Sequence, residues 1–223
     1  MVKTLQFVRY FFYIGIHWNW RIAFTLLRNE IKGEKKYHIN TTGADELTSL
    51  KKQGIDTSHS TMYMPVSYAL LEEALKEIPA KNKEHFFDIG CGKGRAMCVA
   101  ACFGFTKVSG VDFSKLFCEA ARTNLSVIQQ KFPELHFSVT VQDAAVTQIP
   151  GDVDCIFLFN PFDETIMKKV LQHIKQSLSE NPRPIHIIYS NPLYKNLFTS
   201  NGFSERYHSK KLTYFEISIL SRQ

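Results

Sequence analysis

The chain of 223 residues contains 44% hydrophobic and 22% charged residues, which excludes a disordered chain and allows one full domain with an appendage. Basic residues outnumber acidic ones by 27 to 21, so the formal net charge is +6. This excess favours an anionic ligand or partner but does not identify nucleic acid. The five cysteines form no C-x-x-C pair, which predicts reduced thiols in the cytoplasm and no metal site.

The N-terminal segment, residues 1–27, is rich in aromatic and aliphatic side chains. Its uncharged runs are too short to span a bilayer, and it has no signal-peptide cleavage site. Two interpretations remain open. The favoured one is a helix whose aromatic face packs on the main domain, and the other is a basic, aromatic helix that lies on an anionic membrane or partner surface.

Two polar stretches follow, at residues 30–38 and 54–60. The first is charged around Gly33, and we interpret it as a solvated connector. Residues 1–79 are therefore predicted to form a helical N-terminal extension that precedes a regular domain over residues 80–223.

From residue 80 onwards, short apolar runs alternate with helix-length segments, which predicts an α/β domain with a mostly parallel, doubly wound sheet. The segment 202–223 contains two strand-like pieces too close together for a parallel crossover, so they are predicted to form an antiparallel hairpin. The other predicted strands are 86–89, 108–111, 137–141, 155–159 and 185–189, and the predicted helices are 96–103, 115–130 and 164–177.

A glycine-rich turn follows the first predicted strand, in the segment Asp88-Ile89-Gly90-Cys91-Gly92-Lys93-Gly94. Glycines at alternate positions allow a ligand to approach the backbone closely, beside the N-terminus of the next helix. Arg95 occupies the place where a dinucleotide-binding turn would have its third glycine, which disfavours an NAD(P) site. Lys93 and Arg95 either contact an anionic part of the ligand or are solvated.

Two further carboxylates come at the ends of the next two predicted strands. Asp112 is placed to accept hydrogen bonds from both hydroxyls of a ribose. Asp143 is placed to accept one from an adenine amino group. Together with Asp88, they predict an adenosine-containing ligand along one edge of the sheet.

These segments resemble motifs of the class I S-adenosylmethionine-dependent methyltransferases, over roughly residues 80–220. The resemblance implies a Rossmann-like seven-stranded sheet that ends in an antiparallel hairpin, with S-adenosylmethionine as the cofactor. It also implies that the turn from Gly90 to Gly94 lies under the methionine moiety, while Asp112 holds the ribose and Asp143 the adenine. The cofactor-binding residues that it implies are Tyr63, Asp88, Gly90, Cys91, Gly92, Gly94, Asp112, Phe113, Asp143, Ala144 and Asn160.

The fourth predicted strand is followed by Asn160-Pro161-Phe162, which is similar to the N-P-P-Y/F box of enzymes that methylate amino groups. It departs from that box because the second proline is missing. The similarity implies catalytic roles: the Asn160 side-chain oxygen and the Pro161 carbonyl would accept the two hydrogens of an NH₂ nucleophile, and Phe162 would cover the acceptor. The alternative is an ordinary Asn-Pro turn.

The preceding segment Tyr63-Met64-Pro65 resembles the aromatic-x-Pro segment of some seven-strand protein lysine methyltransferases. The favoured acceptor is therefore an amine or amide nitrogen of a protein side chain. The alternatives are a nucleic-acid or small-molecule methyltransferase, an NAD(P)-dependent oxidoreductase, or a non-catalytic protein that binds S-adenosylmethionine.

Overall fold

A seven-stranded sheet runs through the computed structural model, which describes residues 7–8, 11–12, 15–16, 20–42, 65–159, 162–211 and 215–223. The strand order is β3-β2-β1-β4-β5-β7-β6, with β1 to β5 parallel and β7 antiparallel to both of its neighbours. The strands are β1 (His85–Ile89), β2 (Lys107–Asp112), β3 (His136–Val141), β4 (Cys155–Phe159), β5 (Ile185–Ser190), β6 (Ser204–Lys211) and β7 (Phe215–Arg222).

Helices cover both faces of the sheet and connect the parallel strands. Two of them begin at side-chain caps: the Ser114 hydroxyl accepts a hydrogen bond from Phe117 N, and the Asp163 carboxylate accepts one from Ile166 N. The helices are α1 (Trp20–Tyr37), α2 (Tyr68–Glu77), α3 (Arg95–Cys102), α4 (Lys115–Gln129), α5 (Glu164–Glu180) and α6 (Lys195–Thr199), with 3₁₀ turns at Ala80–Asn82 and Ala144–Val146.

The sheet separates two apolar cores. One core packs α2, α3 and α4 against one face of the sheet, and the other packs α5 and α6 against the opposite face. Strands β1, β4 and β5 are buried almost throughout, which explains why they read as continuous apolar runs. The predicted doubly wound α/β fold with its closing hairpin is confirmed.

The predicted solvated connector at residues 30–38 is wrong, because α1 continues to Tyr37. Glu30 and Glu34 are buried rather than solvated. Their carboxylates accept hydrogen bonds from buried groups that include Arg95 and the backbone of Thr41, and this pairing offsets the cost of removing them from water.

The N-terminal half of helix α1 packs on the domain through small and aliphatic side chains, whereas at its C-terminal end the buried Tyr37 stacks on Tyr68. Ala23 and Leu26 are buried, whereas Trp20 and Phe24 are exposed. The favoured interpretation, in which the aromatic face packs on the domain, is therefore wrong for these two residues. The predicted polar stretch 54–60 lies outside the described residues, and within the described ones no helix is both long enough and apolar enough to cross a membrane.

Candidate active site

The candidate site lies where the strand order reverses, between β1 and β4. Ile89 at the end of β1 is level with Val111 on one side and with Leu158 on the other. In open α/β sheets, the crevice outside the carboxyl ends of the strands at such a reversal is where ligands bind. The glycine turn and the end of β4 therefore border the same crevice.

The turn after β1 has the backbone geometry that its glycines predict. Gly90, Gly92 and Gly94 all have positive φ angles, of 84°, 51° and 77°. The amides of Gly90 and Cys91 both donate to the carbonyl of Val111, each over 2.9 Å, which fixes the turn to β2. A Cβ atom at Gly94 would lie 3.0 Å from the Cβ of Ala121 on α4, so the turn also packs closely there.

Gly110 in β2 is a second close contact, and it is not among the residues predicted from the sequence. A Cβ atom there would lie 2.7 Å from the sulfur of Met97 and 2.9 Å from the Cβ of Cys91. A glycine inside a predicted strand is the available signal, because such a residue often marks a close approach of another segment.

Asp112, at the end of β2, is oriented by the backbone around it. Its Oδ2 atom accepts a hydrogen bond from Gly92 N over 2.9 Å, and Oδ1 accepts one from Ser114 N over 2.8 Å. Burial raises the pKa of this carboxyl to about 6, against the opposing effect of those two amides. Each carboxylate oxygen has room for a second donor, so two ribose hydroxyls can be accommodated.

Asp88 lies in β1, two residues before the turn, and is 2% exposed. Burial raises the pKa of its carboxyl well above the ordinary value, and the charge of Asp112 raises it further. Within the described part of the chain, no group donates a hydrogen bond to this carboxyl. A buried acceptor in this state fits a cationic donor such as the ammonium group of a methionine moiety.

Asp143 lies at the next strand end and is exposed. One of its carboxylate oxygens accepts a hydrogen bond from Ala145 N over 2.8 Å, which caps the short 3₁₀ turn that begins at buried Ala144. Phe113, beside Asp112, is half-buried. The Asp143 carboxylate and the partly exposed Phe113 ring therefore lie at the adjacent ends of β3 and β2, where the adenine is predicted to bind.

Cys91 is buried within the turn. A contact with the Cys118 thiol and burial both raise the pKa of the Cys91 thiol well above its ordinary value. The side chain is therefore a neutral, space-filling part of the turn rather than a nucleophile.

Lys93 and Arg95 are buried, so the interpretation that they are solvated is wrong. Lys93 Nζ donates to the carbonyl of Thr42 over 3.3 Å. The Arg95 guanidinium donates to both oxygens of Glu30, over 2.8 and 2.5 Å, and also to the carbonyl of Val66 over 2.8 Å. These two side chains join the N-terminal segments to the glycine turn.

Three of the predicted site residues, Tyr63, Asn160 and Pro161, lie outside the described residues. Phe162 is described and is 9% exposed. It belongs to the same apolar cluster as Ile89 and Leu158, at the crevice between β1 and β4. Its predicted role beside the acceptor remains a prediction.

The residues present fit S-adenosylmethionine. The glycine turn leaves the backbone accessible, Asp88 is a buried acceptor without a donor among the described residues, and Asp112 has free acceptor capacity. The profile of a family described as "Methyltransferase domain" matches residues 86–181, which include all of these groups. Residues 86–181 form a methyltransferase domain, and the fold is that of the class I S-adenosylmethionine-dependent methyltransferases. The family match sets aside the NAD(P)-dependent oxidoreductase.

Solved structures of other proteins share the methyltransferase fold at low identity. The magnesium protoporphyrin IX methyltransferase of Synechocystis, solved with bound S-adenosylmethionine, is 18% identical, with a TM-score of 0.52 over 70% of this chain and 79% of that one. The ribosomal protein L11 methylase of Lactobacillus delbrueckii is 17% identical, with a TM-score of 0.52 over 70% of this chain and 76% of that one. The PH0226 protein of Pyrococcus horikoshii is 14% identical, with a TM-score of 0.53 over 78% and 99%.

A search among curated proteins finds no significant match to the methyltransferase. The identities to the solved structures are too low to transfer an acceptor. The acceptor is therefore inferred from the residues of this chain.

Proposed function

We propose that the methyltransferase transfers a methyl group to an amine or amide nitrogen of a protein side chain. One observation carries this proposal: the segment Asn160-Pro161-Phe162 directly follows β4, which pairs with β1 at the point where the strand order reverses. The amino-methylating box that this segment resembles begins directly after the last residue of β4, and we propose that it faces the crevice that receives the cofactor.

The cofactor supplies an electrophilic methyl group on a sulfonium sulfur, and the chain positions it. In this proposal the Asp88 carboxylate accepts the ammonium group, and the turn from Gly90 to Gly94 lies under the methionine moiety. Asp112 accepts the ribose hydroxyls, and Asp143 accepts the adenine amino group. Cys91, Phe113 and Ala144 line the same cradle, and Tyr63 closes over it.

The acceptor nitrogen must aim its lone pair along the line of the bond that breaks. In the proposed arrangement, the Asn160 side-chain oxygen and the Pro161 carbonyl accept the two hydrogens of the nitrogen. Phe162 then covers the flat face or aliphatic stem of the acceptor. An amide needs no strong base in this arrangement, whereas a lysine must lose its proton first, which desolvation in the crevice favours.

The preference for a protein acceptor rests on the segment Tyr63-Met64-Pro65. A small molecule is the second candidate, because the segment Asn160-Pro161-Phe162 lacks the second proline of the amino-methylating box. Both candidates use the same cofactor cradle and differ in what enters the crevice beside β4.

The test is methyl transfer from radiolabelled S-adenosylmethionine to separated protein, RNA, DNA and metabolite fractions. We expect label in the protein fraction, with no transfer by the Asp88→Ala variant and reduced transfer by Asn160→Ala. The matched control is Asn181→Ala, at the end of α5 and the opposite edge of the sheet. Label confined to another fraction would overturn the protein acceptor, and full activity of Asn160→Ala would overturn the role of the box.

A further inference from the structure

Large apolar side chains form an exposed row along the N-terminal segment. Val8, Phe12 and Ile16 are four residues apart on helical turns, and Trp20 and Phe24 are four residues apart at the start of α1. Residues four apart share a face of a helix. Their exposed fractions run from 45% at Val8 to 71% at Ile16. We call these five residues the apolar row.

A ring contact between Phe12 and Trp20 joins the two parts of the apolar row. The side chains of the row remain exposed rather than covered by the domain. The ring centroids of Phe12 and Trp20 are 6.0 Å apart in an edge-to-face arrangement, and Phe11 lies 5.6 Å from the same indole. Helix α1 packs inward through Ala23, Leu26 and the polar contacts of Glu30. The apolar row is therefore an ordered outer surface, of the kind that marks an interaction site.

The N-terminal sequence that contains the apolar row carries charges of a single sign. Residues 1–29 contain Lys3, Arg9, Arg21 and Arg28 but no acidic residue. Beyond Phe24, the four-residue spacing continues into Arg28 and Lys32, and both are exposed.

The acidic residues of α1 do not neutralise this surface, because Glu30 and Glu34 are buried and bonded inward. A basic surface beside exposed aromatic rings is complementary to anionic phospholipid. Phosphates pair with Arg and Lys, while Phe, Ile and Trp insert at the boundary between headgroups and acyl chains. A second copy that paired through the same surface would bring the exposed Arg28 and Lys32 side chains of both copies together, which disfavours that occupant.

We propose that the apolar row and its basic extension dock the enzyme on an anionic phospholipid surface. The inference is independent of the proposed acceptor, since it rests on α1 and the residues before it. It has one structural consequence: the Glu30–Arg95 pair fixes the docked helix to the first residue of α3, so the cofactor turn is held near the lipid surface.

The experiment uses the full chain with vesicles of phosphatidylglycerol, compared with vesicles of phosphatidylcholine. Both tryptophans of the chain, Trp18 and Trp20, lie in this segment, so intrinsic fluorescence reports on it directly. We expect a blue shift and co-sedimentation with phosphatidylglycerol, weakened by added salt and much smaller with phosphatidylcholine.

Two matched pairs of variants test the apolar and the basic parts separately. The Ile16→Ser/Phe24→Ser variant is expected to weaken vesicle binding by about tenfold or more, whereas Phe132→Ser, which also removes an exposed ring, does not change it. Arg28→Gln/Lys32→Gln is expected to weaken binding to phosphatidylglycerol, whereas Lys168→Gln/Lys169→Gln on α5 does so much less. All of these positions are exposed, and thermal melting checks that each variant folds.

Three results would overturn the proposal. The first is unchanged tryptophan emission in the wild-type chain at saturating phosphatidylglycerol, which needs no variant. The second is equal vesicle binding by the Ile16→Ser/Phe24→Ser variant and the wild type. The third is a blue shift that rises with protein concentration without vesicles and disappears in that variant, because the occupant would then be a second copy.

Discussion

The guanidinium of Arg95 is held by both carboxylate oxygens of Glu30, across 65 residues of sequence, with both side chains less than 5% exposed. The same guanidinium lies over the ring of Tyr68, 4.1 Å from its centroid. Arg95 is the first residue of α3, directly after the glycine turn. The pair therefore connects the N-terminal helix to the backbone that receives the cofactor.

Removing one partner of this pair is expected to be costly. Glu30→Ala would leave the Arg95 charge buried and lower the free energy of unfolding by about 3–5 kcal/mol. The double variant Glu30→Leu/Arg95→Met should lose less than the sum of the two single variants, because no charge remains unpaired. Urea denaturation measures these differences.

The control for this prediction is Glu164→Gln, which breaks the exposed pair with Lys168 on α5. It should cost about 0.5 kcal/mol or less. A Glu30→Ala loss as small as that of Glu164→Gln would show that the buried pair does not anchor α1.

A side chain at Gly94 is expected to damage both stability and cofactor binding. Gly94→Ala places a Cβ atom in left-handed backbone, at a cost of about 1–2 kcal/mol, and 3.0 Å from the Cβ of Ala121. The turn must shift, so we expect the Kd for S-adenosylhomocysteine, measured by calorimetry, to rise by about tenfold or more.

Gly202→Ala is the matched control for Gly94→Ala. Gly202 has a similar φ of 86° and lies at the opposite edge of the sheet, before β6, where an added Cβ atom would meet no heavy atom within 4 Å. It should lose similar stability with an unchanged Kd. Equal effects of the two variants on the Kd would contradict a specific role for the turn.

Cofactor binding is expected to weaken in acid because of Asp112, whose pKa is raised to about 6. Above that pH the carboxylate accepts hydrogen bonds from the ribose, and below it a proton occupies one acceptor site. The Kd for S-adenosylhomocysteine should therefore rise as the pH falls through about 6. Asp112→Asn should bind about tenfold or more weakly at neutral pH and lack this inflection. An inflection that persists in Asp112→Asn would assign it to another group.

Asp88 is expected to make the cofactor-free enzyme less stable as the pH rises. Its pKa is raised in the folded state by burial and by Asp112, so folding favours the protonated form. Its contribution to stability is full below the unfolded pKa of about 3.9 and is lost as the pH rises through the folded value. The Asp88→Asn variant should lack this loss, so its advantage in free energy of unfolding should grow as the pH rises above about 4.

The control for Asp88→Asn is Asp143→Asn, because Asp143 lies at the same edge of the sheet and is exposed. The gain in free energy of unfolding with rising pH is expected of Asp88→Asn, because Asp88 is the buried carboxyl of the two. Identical pH dependence of the two variants would argue that burial of Asp88 is not the cause.

Much of the fold was predictable because the signals are local. The buried strands are continuous apolar runs, and the ends of β1, β4 and α4 fall within one residue of the predicted ones. Asp88, Asp112 and Asp143 were predictable as a group because parallel strands end at the same edge of a sheet.

The contacts of the N-terminal segment were not predictable from the sequence. Glu30 and Lys32 are charged residues of the same polar stretch, yet Glu30 is buried and Lys32 is exposed. The difference arises from Arg95, which is 65 residues away, so no window of neighbouring residues contains it. The close contact at Gly110 also depends on a residue of another element, because its neighbour Met97 lies on α3.

One guanidinium also ties together two places that are distant along the chain. Arg95 donates to the Thr41 hydroxyl over 2.8 Å and to the Val66 carbonyl over 2.8 Å, so one side chain contacts the described chain on both sides of residues 43–64. The stretch between these anchors contains Tyr63, one of the predicted cofactor contacts. The guanidinium that directly follows the cofactor turn therefore sets where this stretch begins and ends, so a substitution of Arg95 would release both anchors at once.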